Sequence, residues 1–163
     1  MSFRSFYRFP LIALLGAIFL GAGATSMLLT SHAQNSADPW SPAQTVQPND
    51  LVKELADTKI AVTLVYVGFQ RLYTAGHIKG AQFHGSGGSA EGLAQLKTWA
   101  ATLPRSTNLV IYCGCCPLER CPNLRPAFTA LREMGFTKLR ALILPNSFAQ
   151  DWADNGLPYE KSQ

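Results

Sequence analysis

The stretch Asn108-Leu109-Val110-Ile111-Tyr112-Cys113-Gly114-Cys115-Cys116-Pro117-Leu118-Glu119-Arg120-Cys121-Pro122-Asn123 decides how the chain is read. Leu109 to Tyr112 form an apolar, partly β-branched run, which predicts a strand buried on both faces, as in a parallel sheet. All 4 cysteines of the chain follow inside the window 113–121. A disulfide framework in a small exported fold spreads its cysteines along the chain, so this cluster reads as a site. Asn123 is placed to cap a helix whose inner face is Leu124, Phe128, Leu131 and Met134, with Pro126 in the first turn and Gly135 at its end. The cysteine loop therefore runs from a strand end to a helix N-terminus. Free N–H groups and the positive dipole end there favour a thiolate, and an anion beside it. Arg120 and Arg125 add positive charge, and Glu119 opposes them.

Outward from this segment, strands and helices alternate. Toward the N-terminus lie a helix capped by Asn49-Asp50, a buried strand over 61–67 and a short helix over 69–75 ending at Gly76. A short strand over 81–83, a Gly/Ser loop over 84–89 and a helix over 90–103 follow. Toward the C-terminus, Leu139 to Leu144 reads as a strand and Phe148 to Asn155 as a last helix. That order predicts an α/β fold, with a central parallel sheet and helices on both faces. Ligands of such sheets sit beyond the carboxyl ends of the strands, where Cys113 lies. The Gly85-Ser86-Gly87-Gly88 run lacks the Gly-Lys-Ser/Thr that would make it a phosphate cradle, so it reads as a flexible loop, with His84 solvated in it.

Composition bounds the rest. The chain has 163 residues, 47% hydrophobic and 15% charged, which excludes disorder over most of its length. The net charge of +4 includes Arg4 and Arg8; residues 34–163 hold 12 bases against 10 acids. A balance so near neutral argues against a nucleic-acid partner. Arg4 and Arg8, the uncharged run from Leu11 to Ala22 and the small residues around Ser31-His32-Ala33 read as a signal peptide over 1–33, cleaved after Ala33. An uncleaved anchor is the alternative, since the apolar stretch reaches the ~20 residues a bilayer needs. Either way the remainder lies outside the cytoplasm, periplasmic or secreted, in an oxidising compartment. Residues 34–48, polar and rich in Pro and Ser, read as a linker to a domain over 49–163.

At this point the chain resembles the rhodanese-like sulfurtransferase family. Leu64-Val65-Tyr66-Val67 followed by Gly76-His77-Ile78-Lys79-Gly80-Ala81 is similar to that family's strand and Gly-His-Ile-x-Gly-Ala signature. Leu109 to Cys113 looks like the strand that delivers its nucleophilic cysteine. Arg125 to Phe136 resembles the helix after the active-site loop, and Trp152 to Pro158 resembles the closing Trp-x-x-x-Gly-x-Pro. Tyr66 and Gly68 stand where the family often has Asp and Arg, and the cysteine loop is longer than usual. The resemblance implies a rhodanese-like three-layer sandwich and a sulfurtransferase that moves sulfane sulfur through a persulfide on Cys113, with no metal or organic cofactor. Arg120, Arg125 and Asn123 would bind the anionic donor. Cys115, Cys116 and Cys121 would accept the sulfur or act as resolving thiols, and His77 and Trp152 would be structural. The partners implied are a small sulfur-containing donor and a thiol acceptor.

Two other readings of the cysteines stay open. Cys113 and Cys116 stand in C-x-x-C spacing, so a loop disulfide and thiol redox chemistry are consistent with an oxidising compartment. Thiolates also bind soft metals such as Cu(I) or Zn(II), although four cysteines this close do not chelate one zinc easily. A non-catalytic module with a stiffened loop is the remaining alternative.

Overall fold

The computed structural model describes residues 38–162. The signal-peptide reading of 1–33 and the start of the linker lie outside them. The elements are, in order, β1 Thr45–Val46, α1 Pro48–Ala56, β2 Thr63–Tyr66, α2 Gln70–Ala75, β3 His77–Ile78, β4 Gln82–Phe83 and α3 Ala90–Ala100. Then come β5 Asn108–Tyr112, α4 Leu124–Glu133, β6 Lys138–Leu142, α5 Phe148–Asp151 and β7 Tyr159–Glu160. Five strands form one sheet in the order β1-β6-β5-β2-β4, and every pairing in it is parallel. β3 and β7 pair antiparallel as a separate ribbon.

Alternation along β5 explains the layers. Leu109, Ile111 and Cys113 enter one core with Leu96 and Ala100 of α3 and Leu124, Phe128 and Leu131 of α4. Val110 and Tyr112 enter the other with Leu51 of α1, Ile78 and Trp152. Successive side chains of a strand point to opposite faces, so both faces of the central strand must be apolar. All four residues Leu109 to Tyr112 are fully buried. The result is the expected three-layer α/β sandwich. Among the described residues no helix is long and apolar enough to cross a membrane.

The observed elements depart from the sequence expectation in four places. Residues 38–46, read as linker, are packed. Trp40 sits edge-on to Phe128 at 5.3 Å, Arg125 Nη2 pairs with Asp38 at 2.7 Å, and β1 adds a parallel edge strand to β6. One aromatic anchor and a two-residue strand leave no periodic pattern to read. Helix α1 starts at Pro48 rather than after an Asn49-Asp50 cap. Proline at the first helical position loses no hydrogen bond and supplies the required φ. The last helix breaks at Trp152, φ −130° and ψ −67°, where the indole is fully buried and donates to Pro158 O at 2.9 Å. The 84–89 loop is not loose: His84 stacks on Trp99 at 4.0 Å, and Gly87 N donates to Val67 O at 2.8 Å. A Cβ on Gly87 would come within 2.1 Å of Asn123 O, so the close approach of this loop to α4 requires glycine.

Candidate functional site

Three strand ends converge on one cleft. β2 brings Tyr66, the loop after β5 brings Gly114 and Cys115, and the turn after β6 brings Ser147 and Phe148; Leu72, Tyr159 and Lys161 complete walls around about 340 Å3. This is the carboxyl edge of the sheet, where open α/β folds bind ligands. Gly114 makes the turn possible. Its φ is +68° and a Cβ there would meet the Phe148 backbone N at 2.9 Å. Its carbonyl instead accepts the Phe148 N–H at 2.9 Å, which pins the start of the cysteine loop to α5. The Tyr66 ring folds back over Gly68, leaving no room for a side chain there: a Cβ would lie 2.3 Å from the hydroxyl oxygen.

The four cysteines are unpaired in the structure, Cys113 and Cys116 of the C-x-x-C spacing among them. Their sulfurs form a chain of contacts instead. Cys113 Sγ donates to Cys115 Sγ at 3.1 Å, and Cys115 Sγ lies 3.2 Å from Cys116 Sγ. The sulfurs of Cys113, Cys115 and Cys121 all lie within 4.8 Å of one another. Cys113 is 2% exposed and Cys121 5%, whereas Cys115 is half-buried and lines the cleft.

Electrostatics separates the sulfurs. Hydrogen bonds donated to Cys115 and Cys121, with burial added, push the Cys113 thiol far up. The hydrogen bond received from Cys113, helped by Cys116 and the Asn123 amide, pulls Cys115 down to about 5 against the effect of burial. Cys121 is also lowered, first by Cys113 and then, against burial, by the backbone N–H groups of Asn123 and Leu124. Cys116 is raised by burial and by its bond to Cys115. These shifts favour the proton on Cys113 and negative charge on Cys115, the sulfur that meets the cleft.

The sequence expected Asn123 to cap α4 with its side chain. It does not: no side-chain cap bond forms. Fully buried, the amide turns back to the site. Nδ2 donates to Cys113 Sγ and Cys115 Sγ, each at 3.5 Å, and Oδ1 accepts the Gly88 N–H at 2.9 Å. The N–H groups at the start of α4, expected to cradle a substrate anion, go to the Cys121 sulfur.

The two arginines proposed from sequence do not reach the cleft. Arg125 pairs with Asp38 and donates to Leu118 O at 2.8 Å, and Arg120 stands exposed on the 3-10 turn Leu118–Arg120. Lys161 is the cation on the cleft wall, and no feature of the sequence singled it out. His77 is buried on the β3–β7 ribbon. It contacts Tyr73 O through Nδ1 at 2.8 Å, stacks on Tyr73 at 3.9 Å and approaches Glu160 at 3.6 Å. Neither His77 nor Trp152 lines the cleft.

No family model matches this chain, and no curated protein does. Solved structures share its fold. The rhodanese-like domain of an Anabaena sp. protein has 21% identity and a TM-score of 0.53, over 72% of this chain and 79% of that one. A crystal structure from the same Anabaena protein gives 21% identity and a TM-score of 0.56, over 72% and 92%. A Bacillus halodurans protein gives 18% and a TM-score of 0.58, over 74% and 78%.

Proposed function

The chain has the rhodanese-like fold, and we propose that it is a sulfurtransferase moving sulfane sulfur through a cysteine persulfide in an exported domain. The observation that carries this reading is the Cys115 sulfur: a thiol hydrogen-bonded by a buried neighbour, at the carboxyl edge of the sheet and on the wall of an open cleft. The sequence assigned the persulfide to Cys113. The geometry supports Cys115 as the sulfur that meets the donor, with Cys113 beneath it as proton holder.

The reaction runs in two displacements. The Cys115 thiolate attacks the outer sulfur of a donor such as thiosulfate. The donor S–S bond breaks, sulfite leaves with its electron pair, and a persulfide anion remains on Cys115. An acceptor thiolate then attacks the terminal sulfur and departs as a persulfide, restoring the Cys115 thiolate. Each step conserves charge, the Cys115 thiolate is restored in the second, and the cycle is ping-pong. The Asn123 amide stays directed at the sulfur throughout, and Lys161 offers the cleft a positive charge for an anionic donor. The apolar walls of Tyr66, Leu72 and Phe148 suit an acceptor thiol with a carbon body.

The test is turnover of thiosulfate and cyanide to sulfite and thiocyanate by fully reduced, metal-free protein. Mass spectrometry after donor alone should show one added sulfur, mapping to the peptide that holds Cys115. A protein that takes up no sulfur from thiosulfate or from a small persulfide would refute the reading.

A further inference from the structure

We propose that Cys113, Cys115 and Cys121 form a binding site for one Cu(I) ion.

Three sulfurs converge, and no pair is separated by more than 4.8 Å. An ion held ~2.3 Å from three sulfurs in one plane needs them ~4.0 Å apart. Cys113 and Cys115 stand 3.1 Å apart and would part by about an ångström to reach that spacing, while Cys121 lies within 4.8 Å of both. Beside them is a hollow of about 10 Å3, lined by Cys113, Cys116 and Cys121 with Leu118, Leu124 and Leu142. It is roughly the smallest space a water molecule can use, and its walls are thiol and hydrocarbon. Cys115 is not part of that lining, so the hollow adjoins the three-sulfur set on its inner side.

The donor set selects the metal. It contains sulfur only. The nearest polar side chain, Asn123, directs its donor nitrogen at Cys113 and Cys115, while its oxygen is committed to Gly88. It can orient thiolates but cannot ligate. Zinc in a closed site wants four ligands; Cys116 touches Cys115 at 3.2 Å but is not one of the three mutually close sulfurs, and His84 is stacked on Trp99 and faces Gln82. Soft thiolates select Cu(I) among the common alternatives, and a d10 monovalent ion is satisfied by three.

The surroundings already supply an outer shell. The Asn123 amide nitrogen stands 3.5 Å from both Cys113 Sγ and Cys115 Sγ. This donor helps offset the negative charge that three thiolates and one monovalent cation leave behind. Binding is proton exchange: three Cu–S bonds form, each sulfur that still carries a proton releases it to solvent, and neither copper nor sulfur changes oxidation state.

The experiment titrates reduced protein anaerobically with Cu(I), supplied against a chromogenic Cu(I) chelator, with no sulfur donor present. The outcome is thus independent of transferase activity. The expected result is one Cu(I) per chain, retained against the chelator. Cys113→Ser, Cys115→Ser and Cys121→Ser should each weaken binding by at least ~100-fold, Asn123→Ala by ~10-fold or more, and Cys116→Ser should stay close to wild type. Thermal unfolding of each apo variant identifies any that does not fold. X-ray absorption of the copper-loaded wild type then decides without mutation: three sulfur neighbours and no nitrogen or oxygen support the site. Loss of binding on Cys116→Ser as large as on Cys121→Ser would overturn it. So would a nitrogen or oxygen ligand, or displacement of the copper by an equal amount of Zn(II).

Discussion

Cys113 Sγ and Cys115 Sγ stand 3.1 Å apart, yet one belongs to the α3–α4 core and the other to the cleft. Cys113 inherits its place from β5, one residue past the strand, so its sulfur is fixed on the inner face. Gly114, at φ +68°, reverses the chain and turns the next cysteine outward. A buried donor thus lies beneath an accessible acceptor; in the proposed sulfur transfer the inner thiol would keep a proton and the outer sulfur would be the nucleophile.

This division predicts an order among single Cys→Ser variants assayed after full reduction. Cys115→Ser should lose turnover by at least ~10³-fold, because the nucleophile is gone and a serine hydroxyl does not replace a thiolate. Cys113→Ser should keep a hydroxyl donor under Cys115 and lose no more than about 10-fold, less than the full loss of a hydrogen bond to a charged group. Cys116→Ser should keep measurable turnover. A dead Cys113→Ser beside an active Cys115→Ser would return the persulfide to the strand-borne cysteine.

A second prediction concerns the seam between the sheet and the β3–β7 ribbon. The Tyr112 hydroxyl, buried at the end of β5, accepts the Ile78 N–H at 2.9 Å. Tyr112→Phe keeps the ring and removes the acceptor, stranding a buried N–H. Stability should fall by ~1–3 kcal/mol, read as a lower urea midpoint with unchanged slope. An unchanged midpoint would mean the ribbon gains nothing from the contact.

Much of this was legible in the sequence, because the signals were local. The apolar run Leu109–Tyr112 can only be a strand buried on both faces, and it places Cys113 at a strand end. The helix over Leu124–Glu133 follows from apolar spacing. What the sequence hid was pairing at a distance and the aim of single side chains. Arg125 looked available for an anion because its partner Asp38 is 87 residues away. Asn123 looked like a helix cap because an N-cap and a buried amide use the same residue type. The packed Gly85–Gly88 loop left a trace, in that consecutive glycines often mark close backbone approach, but nothing local named α4 as the neighbour. β1, β3 and β7 are two residues each, too short for alternation to register.

The third prediction is a pH dependence away from the cleft. Arg140 of β6 donates to both carboxylate oxygens of Glu54 on α1, at 2.7 and 2.5 Å, and to Asn108 Oδ1 at 3.0 Å. These bonds hold the Glu54 carboxyl below its ordinary range, against partial desolvation. A carboxylate with a lowered folded pKa binds fewer protons folded than unfolded. Its stabilising contribution is therefore complete above the unfolded value of ~4.3 and is lost as pH falls through the folded value. Urea midpoints measured from pH ~6 to ~3 should drop less steeply for Glu54→Gln than for wild type. Parallel curves would show that the pair contributes nothing to acid sensitivity.

The last prediction separates the two jobs of Asn123. Its oxygen holds Gly88 at 2.9 Å, and its nitrogen stands 3.5 Å from both Cys113 and Cys115. The first job fastens the glycine loop to α4; the second steadies negative charge on sulfur. Asn123→Ala removes both, so stability should fall by ~1–3 kcal/mol from the orphaned Gly88 N–H, and alkylation of the metal-free protein by iodoacetamide near pH 5, where Cys115 titrates, should slow. Asn123→Asp keeps an acceptor for Gly88 but turns a carboxylate oxygen toward the sulfurs. Like charges at that range disfavour the thiolate, so alkylation should slow more than in the alanine variant. Asp should also retain a larger share of the stability, since the Gly88 bond survives. Alkylation rates and thermal unfolding on the three proteins give both readouts. An Asn123→Asp protein that alkylates as fast as wild type would show that the amide holds the loop and does nothing for the sulfurs.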